Sequence, residues 1–185
     1  MPTRTLLATA FSIVVGMGWT ASTGLSTHQT AAASGRVVHA GGGDHVVRRW
    51  GLKAAALINP DNTGSKDFVV ISEQVPPDGS IPVHKHPHSE ELLILTEGSG
   101  TVVIGDARLE VRAGSTAFIP RGEWHGLENH GRSPVAVMGV FSKPGYHTYF
   151  AATSVPAGQP VVPFSPSKLR EVRERFRSVI VFKEP

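Results

Sequence analysis

From about residue 41 this chain is a series of short apolar runs punctuated by polar, turn-forming residues. Such runs recur at Val46-Val47, Asp67 to Val75, Glu91 to Thr96, Thr101 to Ile104, Arg108 to Val111, Thr116 to Ile119 and Pro134 to Phe141. Turn-forming residues separate them: Pro76-Pro77-Asp78-Gly79, Glu97-Gly98-Ser99-Gly100, Gly105-Asp106, Ala113-Gly114-Ser115 and Asn129-His130-Gly131. Strands at this spacing with Gly/Asp turns predict an all-β antiparallel sandwich or barrel over residues 45–150. No helical periodicity interrupts them, and no repeat of propeller or solenoid length is visible. One helix is expected near the carboxyl end. Ser165-Pro166 supplies an N-cap and first-turn pair, and Leu169, Val172 and Phe176 mark one apolar face. Arg170, Glu171, Arg173, Glu174, Arg175 and Arg177 read as its solvated outer side. Residues 151–163, rich in Pro, Gly and Ala, read as a connector, so that 151–185 form connector, helix and tail.

The amino end follows a different pattern. Arg4 precedes an apolar run from Leu6 to Trp19, the length of a signal-peptide core and short for a membrane span. Small residues follow, with Ala31-Ala32-Ala33 as a cleavage candidate. Residues 1–33 are therefore read as a signal peptide and processing region, with 34–44 as a linker. The alternative is an uncleaved anchor, and in either case the globular part is expected outside the cytoplasm, periplasmic or secreted. After removal of the leader, no membrane association is expected.

Composition narrows the chemistry. The chain has 185 residues, no cysteine, nine histidines and a formal net charge of +3. Without cysteine there is no disulfide framework, no thiolate metal site and no cysteine nucleophile. Residues 41–160 hold ten Lys/Arg against twelve Asp/Glu, so the positive excess lies outside the strand region. No basic stripe interleaved with aromatics is present, which argues against a nucleic-acid partner.

Six of the nine histidines lie between residues 84 and 147, and Pro82-Val83-His84-Lys85-His86-Pro87-His88-Ser89-Glu90-Glu91 is the densest stretch. On a strand, alternate side chains share a face, so His84 and His86 point the same way. Pro87 ends the strand and lets the chain turn a carboxylate toward the same space. Two imidazoles and a carboxylate suit a first-row divalent metal. His125, just after Pro120-Arg121-Gly122-Glu123-Trp124, is the candidate for a fourth ligand.

These spacings resemble the two motifs of the cupin superfamily. His84-x-His86, four residues, Glu91, six residues and Gly98 are similar to the first motif. Gly114, five residues, Pro120-x-Gly122, two residues, His125, three residues and Asn129 match the second. The fifteen residues between Gly98 and Gly114 resemble the spacing of compact microbial cupins, while Gly79 sits one residue closer to His84 than is common. The resemblance implies a double-stranded β-helix, or jelly-roll, barrel with a metal at one mouth. Its ligands would be His84, His86, Glu91 and His125. Glu91 is preferred to Glu90 by motif spacing and because Glu91, Leu93 and Leu95 would then share the interior. Gly98, Gly114 and Gly122 are expected in turns with unusual backbone angles.

The resemblance to quercetinase-like small cupins points to an oxidoreductase of the dioxygenase type, using one divalent ion (Fe, Mn, Ni, Cu or Zn). Its substrate would be a small, flat or aromatic molecule. Glu91 would also act as a base. His88 stands as a fifth ligand, proton shuttle or substrate contact, or as an exposed neighbour. Leu93, Leu95, Phe118 and, by strand parity, Met138 or Phe141 would line the pocket. Lys85 is expected to face away from the metal. Tyr146, His147 and Tyr149 follow the last strand as a rim or as edge packing. The alternatives are a non-redox lyase, isomerase or cyclase, and a non-catalytic protein that binds metal and a small molecule. Small cupins also favour a homodimer, through strand exchange or sheet packing.

Overall fold

A computed structural model describes residues 35–39 and 41–184, and the leader expected over 1–33 lies outside the described residues. The chain enters through β1 (Asp44–Arg48), β2 (Lys53–Ile58), a single helical turn α1 (Pro60–Thr63) and β3 (Val69–Val75). The strands β4 (Ser80–Lys85), β5 (Glu91–Glu97), β6 (Ser99–Ile104), β7 (Ala107–Arg112), β8 (Thr116–Ile119), β9 (His125–Glu128) and β10 (Val135–Phe141) follow. Helix α2 (Tyr146–Ala152), β11 (Ser154–Pro156), α3 (Pro166–Arg175) and β12 (Val181–Phe182) complete the order. Two antiparallel sheets result. One runs β11-β1-β2-β3-β10-β5-β8 and the other β12-β4-β9-β6-β7, the layered arrangement of an all-β jelly roll.

Burial alternates along the apolar runs. Along β10 the residues Val135, Val137, Gly139 and Phe141 are buried and those between them are half-buried. Along β5, Glu91, Leu93 and Leu95 face inward while Leu92 faces out. Between the sheets, Val75, Leu93, Leu95, Val102, Leu127, Val135 and Val137 form one packed layer. A second layer joins Ile71 and Phe141 to Tyr146, Tyr149 and Phe150 of α2 and to Val172, Phe176 and Ile180 of the carboxyl-terminal segment. Gly98, Gly105, Gly114 and Gly122 all adopt positive φ at turns. Gly98 is the tightest of these, because a Cβ there would meet the Pro134 carbonyl at 2.9 Å.

Four elements depart from the pattern expected from the sequence. The Asn59-Pro60-Asp61-Asn62 stretch forms α1, capped by the Asn59 side chain on the Asp61 and Asn62 amides. Residues Tyr146–Ala152 form a second helix whose aromatic side chains are core rather than rim. The expected connector and tail add a strand to each sheet, since β11 pairs with β1 and β12 pairs with β4. The expected helix is present as α3, with the Ser165 hydroxyl accepting from the Lys168 amide.

One buried charge ties these pieces together. Arg48 of β1 is fully buried, and its guanidinium donates to Glu73 of β3 at 3.3 Å, to the Tyr146 hydroxyl at 3.3 Å and to Thr153 Oγ1 at 3.1 Å. Trp50 and Phe150 lie against its faces at 4.3 and 4.6 Å. Burial pushes the Glu73 carboxyl above its ordinary value, and Arg48 acts in the opposite direction. Removing one partner of such a pair strands the other, so Arg48→Met is expected to lower unfolding stability by about 3–5 kcal/mol. The double variant Arg48→Met/Glu73→Leu should recover much of that loss. Urea denaturation of the three proteins checks this, and equal stability of Arg48→Met and the native chain would refute it.

Candidate metal centre

Four side chains converge at one mouth of the barrel. His84 lies at the end of β4, His86 just beyond it, Glu91 begins β5 and His125 begins β9. One ligand atom from each lies within 4.8 Å of all the others, and all four residues are buried. The register explains the convergence. β4 pairs with β9 so that His84 and His125 are directly opposite. The turn after Pro87 then brings Glu91 in from the facing sheet, which carries β5.

Backbone carbonyls aim the rings. Nδ1 of His84 donates to the Pro82 carbonyl at 2.8 Å, and Nδ1 of His125 to the Glu123 carbonyl at 3.0 Å. Nδ1 of His86 donates to the Val179 carbonyl at 2.8 Å. A carbonyl only accepts, so each Nδ1 carries a proton and each Nε2 is turned toward the common point. There Nε2 of His84 stands 3.2 Å from Nε2 of His86. Glu91 Oε2 is 2.9 Å from His125 Nε2 and 3.4 Å from His86 Nε2.

These distances test whether a cation fits. Burial, reinforced by His125 and His86, holds the His84 imidazole well below its ordinary value, so it is neutral. Its Nε2 is then an acceptor and faces His86 Nε2 at 3.2 Å. A cation between the two nitrogens would satisfy both. Separations of 2.9–3.4 Å also match donors sharing one ion through bonds of about 2.0–2.2 Å. Three imidazoles and one carboxylate form a donor set for a first-row divalent ion. Glu91 is held well below the usual carboxylate range: burial opposes this, but hydrogen bonds from His125 and His86 outweigh it. Burial likewise lowers His125, yet the Glu91 carboxylate raises it above its ordinary value overall.

Gly139 makes room for this arrangement. A Cβ there would lie 2.9 Å from Glu91 Oε1 and 3.2 Å from the Phe141 ring. Position 139 on β10 faces Leu93 on β5, two pairs along from Glu91 opposite Phe141 and on the same face. Beside the donors is a cavity of about 20 Å³, lined by Ile71, Leu93, Val137, Phe141, Glu73 and Tyr146. Glu73 Oε1 is taken by Arg48, and among the described residues no group donates to its second oxygen. Burial pushes the Tyr146 hydroxyl well above the usual phenol range.

Several expected neighbours lie elsewhere. Phe118 is 57% exposed, because β8 sets Ile119 opposite Glu91 and thus turns Phe118 outward beside Leu92. Met138 shares that outer face, opposite Ile94, while Phe141 points inward. Leu95 is buried in the layer beneath and does not reach the cavity. Leu93 does. His88 is exposed after Pro87 and stays outside the four-donor cluster, beside a groove of about 230 Å³ that also touches Lys143, Tyr146 and Val179. Lys85 lies over Trp124 at 4.5 Å, away from the donors. Glu73, Arg48, Gly139 and Val179 were not singled out in the sequence. Glu73 had a visible signal, a lone carboxylate at an inward position of an apolar strand; the others had none.

The chain forms an all-β jelly-roll barrel with a buried cluster of candidate metal ligands at one mouth. Residues 71–141 match the cupin domain family, and both motifs lie inside that match. The tetracenomycin polyketide synthase protein TcmJ of Streptomyces glaucescens is 30% identical over 90 residues, 49% of this chain and 60% of that protein. The chain thus spans less than two thirds of that relative. An oxalate-binding protein of Thermotoga maritima is 25% identical over 89 residues, 48% of this chain and 74% of its own length. The crystal structure of a predicted oxalate decarboxylase from Thermotoga maritima superposes with a TM-score of 0.53 at 21% identity. It covers 58% of this chain and 99% of the other, which bears on fold alone.

Two expectations follow for the metal. His125→Ala and Glu91→Gln should lose most bound metal, and Gly139→Ala should lower affinity at least about tenfold by displacing Glu91. Glu90→Gln should keep full occupancy. Elemental analysis and chelator competition read this, and retention of metal by His125→Ala would sink the four-donor assignment. In the metal-free chain His125 holds a proton at higher pH than a free imidazole. Binding must expel it, so affinity should rise with pH and protons should be released as the ion binds. Calorimetry in buffers of differing ionisation enthalpy measures that release.

Proposed function

We propose that this chain is a metal-dependent oxidoreductase of the dioxygenase type, acting on a compact organic molecule. The observation that carries the proposal is the shape of the cavity beside the donors. At about 20 Å³ it holds one water-sized or diatomic group, and Ile71, Leu93, Val137 and Phe141 make most of its wall apolar. A cavity able to hold benzene has a volume of about 150 Å³. An aromatic substrate therefore does not fit beside the donors in this conformation, and the flat aromatic substrate expected from the sequence gives way to a smaller one. An apolar space of this size suits dioxygen. The relative named as oxalate-binding favours a compact ligand in the same way.

A divalent ion held by His84, His86, Glu91 and His125 would supply Lewis acidity and, for iron, copper, nickel or manganese, one-electron chemistry. The chain supplies the rest. The Pro82, Glu123 and Val179 carbonyls orient the three rings. Phe141, stacked on Tyr146 at 4.3 Å, and the surrounding aliphatic wall exclude water. The free oxygen of Glu73 accepts a proton or hydrogen bond from a molecule in the cavity, while Arg48 keeps that carboxylate in place. The leader pattern at residues 4–33 adds export to the periplasm or medium to the same reading.

A second reading rests on Glu73 itself. A protonatable carboxyl facing the donors also suits non-redox proton transfer, as in a lyase or cyclase. Oxygen uptake by metal-loaded protein, measured on a panel of small carboxylic acids and enediols with manganese, iron, copper, nickel or zinc, separates the two. Uptake with a redox metal is the expected result. Turnover with zinc and without oxygen would replace it by the second reading, and binding without turnover would leave a small-molecule carrier. Glu73→Gln should retain its metal and lose about 10²–10⁴-fold in turnover if the carboxyl transfers a proton.

A further inference from the structure

Two of the three imidazoles are oriented from within their own segments. His84 and His125 each donate Nδ1 to the carbonyl two residues earlier, at Pro82 and Glu123. His86 is different. Its Nδ1 donates to the Val179 carbonyl, 93 residues away, at 2.8 Å. Val179 lies in the segment after α3, well beyond the cupin match that ends at residue 141.

That segment is tied to the metal mouth at several points. The Val179 and Ile180 amides both donate to the Phe176 carbonyl, at 2.8 and 3.0 Å, which shapes the turn presenting the Val179 carbonyl to His86. β12 then pairs with β4, with Phe182 opposite His84 and Val181 opposite Lys85. The Lys183 amide donates to the Val83 carbonyl at 2.9 Å. The Phe182 ring lies 5.9 Å from the His84 ring. The tail is thus an extra strand on β4, the strand that carries the first histidine, and it supplies the orienting acceptor for the second.

We propose that the carboxyl-terminal segment 176–183 is a working part of the metal centre, and that metal binding and docking of this segment stabilise one another. The proposal rests on the reading of His84, His86, Glu91 and His125 as metal ligands. With the Val179 carbonyl in place, the proton of His86 is fixed on Nδ1 and Nε2 is turned to the ion. With the segment undocked, the ring is free to rotate and to exchange tautomers, and the ion loses one preorganised donor. Loss of an outer hydrogen-bond partner of a ligating histidine lowers metal affinity about 10–100-fold. By linkage, the metal must favour the docked segment by the same factor.

Zinc alone is the probe, and the full chain is the first sample. Zinc stoichiometry is measured first; if the full chain takes up no zinc, the four-ligand reading fails before this one is reached. Where zinc binds, hydrogen exchange is followed with and without it. The amides of residues 179–183 should exchange at least about tenfold more slowly with zinc, while β7, in the same sheet but remote from the donors, should not change. Two variants complete the test. A chain ending at Ser178 removes the acceptor, and Lys183→Pro removes one β12–β4 hydrogen bond at an exposed position without touching any ligand. Zinc affinity should fall about 10–100-fold in the truncated chain and by a smaller factor in Lys183→Pro, with barrel circular dichroism retained. If truncation unfolds the protein, Lys183→Pro and the exchange data decide. Unchanged zinc affinity in the folded variants, or exchange at 179–183 that is indifferent to zinc, would overturn the proposal.

Discussion

The mouth of this barrel is organised around two buried imidazole nitrogens held 3.2 Å apart beside the Glu91 carboxylate. A buried neutral ring cannot relieve that contact by itself, and turning either ring away would break an Nδ1 hydrogen bond to a carbonyl. The carbonyls therefore hold the two nitrogens in contact, an arrangement that a shared cation would stabilise. The neighbouring constraints follow from it. β4 and β9 must pair in a register that sets His84 against His125, and β10 must carry a glycine where the Glu91 carboxylate passes. A one-residue slip of β5 would turn Glu91 outward and bring Glu90 or Leu92 to the cavity.

The Arg48–Glu73–Tyr146 cluster is the second constraint, and it works at longer range. A fully buried guanidinium is tolerated only where its donors are met, and here β3, α2 and the residue following α2 meet them. The same contacts place Glu73 and Tyr146 on the cavity wall. Stability and site geometry therefore share one set of hydrogen bonds. The Arg48 Nε has no partner among the described residues, which leaves the cluster incompletely satisfied, a feature common where structure serves chemistry rather than stability alone.

The strands and the four donors were legible in the sequence because their signals are local. Short apolar runs bounded by turn residues mark β3, β5 and β10, and the His84-x-His86 spacing puts two imidazoles on one face. The Ala-rich stretch Lys53–Ile58 is a buried strand, β2, that alternation could not mark, since small apolar residues fill every inward and outward position. Phe118 was misassigned because a four-residue strand carries no parity of its own; its face is set by pairing with β5. Arg48, Glu73 and Val179 meet the site only through tertiary contacts spanning 25 residues or more, which no sequence window contains. Tyr146 and Tyr149 follow the last recognisable strand, which left rim and edge packing both open, and the short helix α2 folds them into the core.

Closure of the cavity and the route into it are opposed requirements. An enclosed apolar wall strengthens every electrostatic interaction at the donors by excluding water. A space of about 20 Å³ cannot, however, admit a carbon skeleton unless something moves. The inner strands are held by paired neighbours on both sides and by the packed layers between the sheets, so they are poor candidates for motion. The groove beside His86, bounded by Lys143, Tyr146, Ser178 and Val179, is where the barrel meets the two-residue strand and the turn that precedes it. A segment anchored by few hydrogen bonds opens at lower free energy than the sheet it covers. Because the same segment orients His86, any opening there would also loosen one of the four candidate metal ligands.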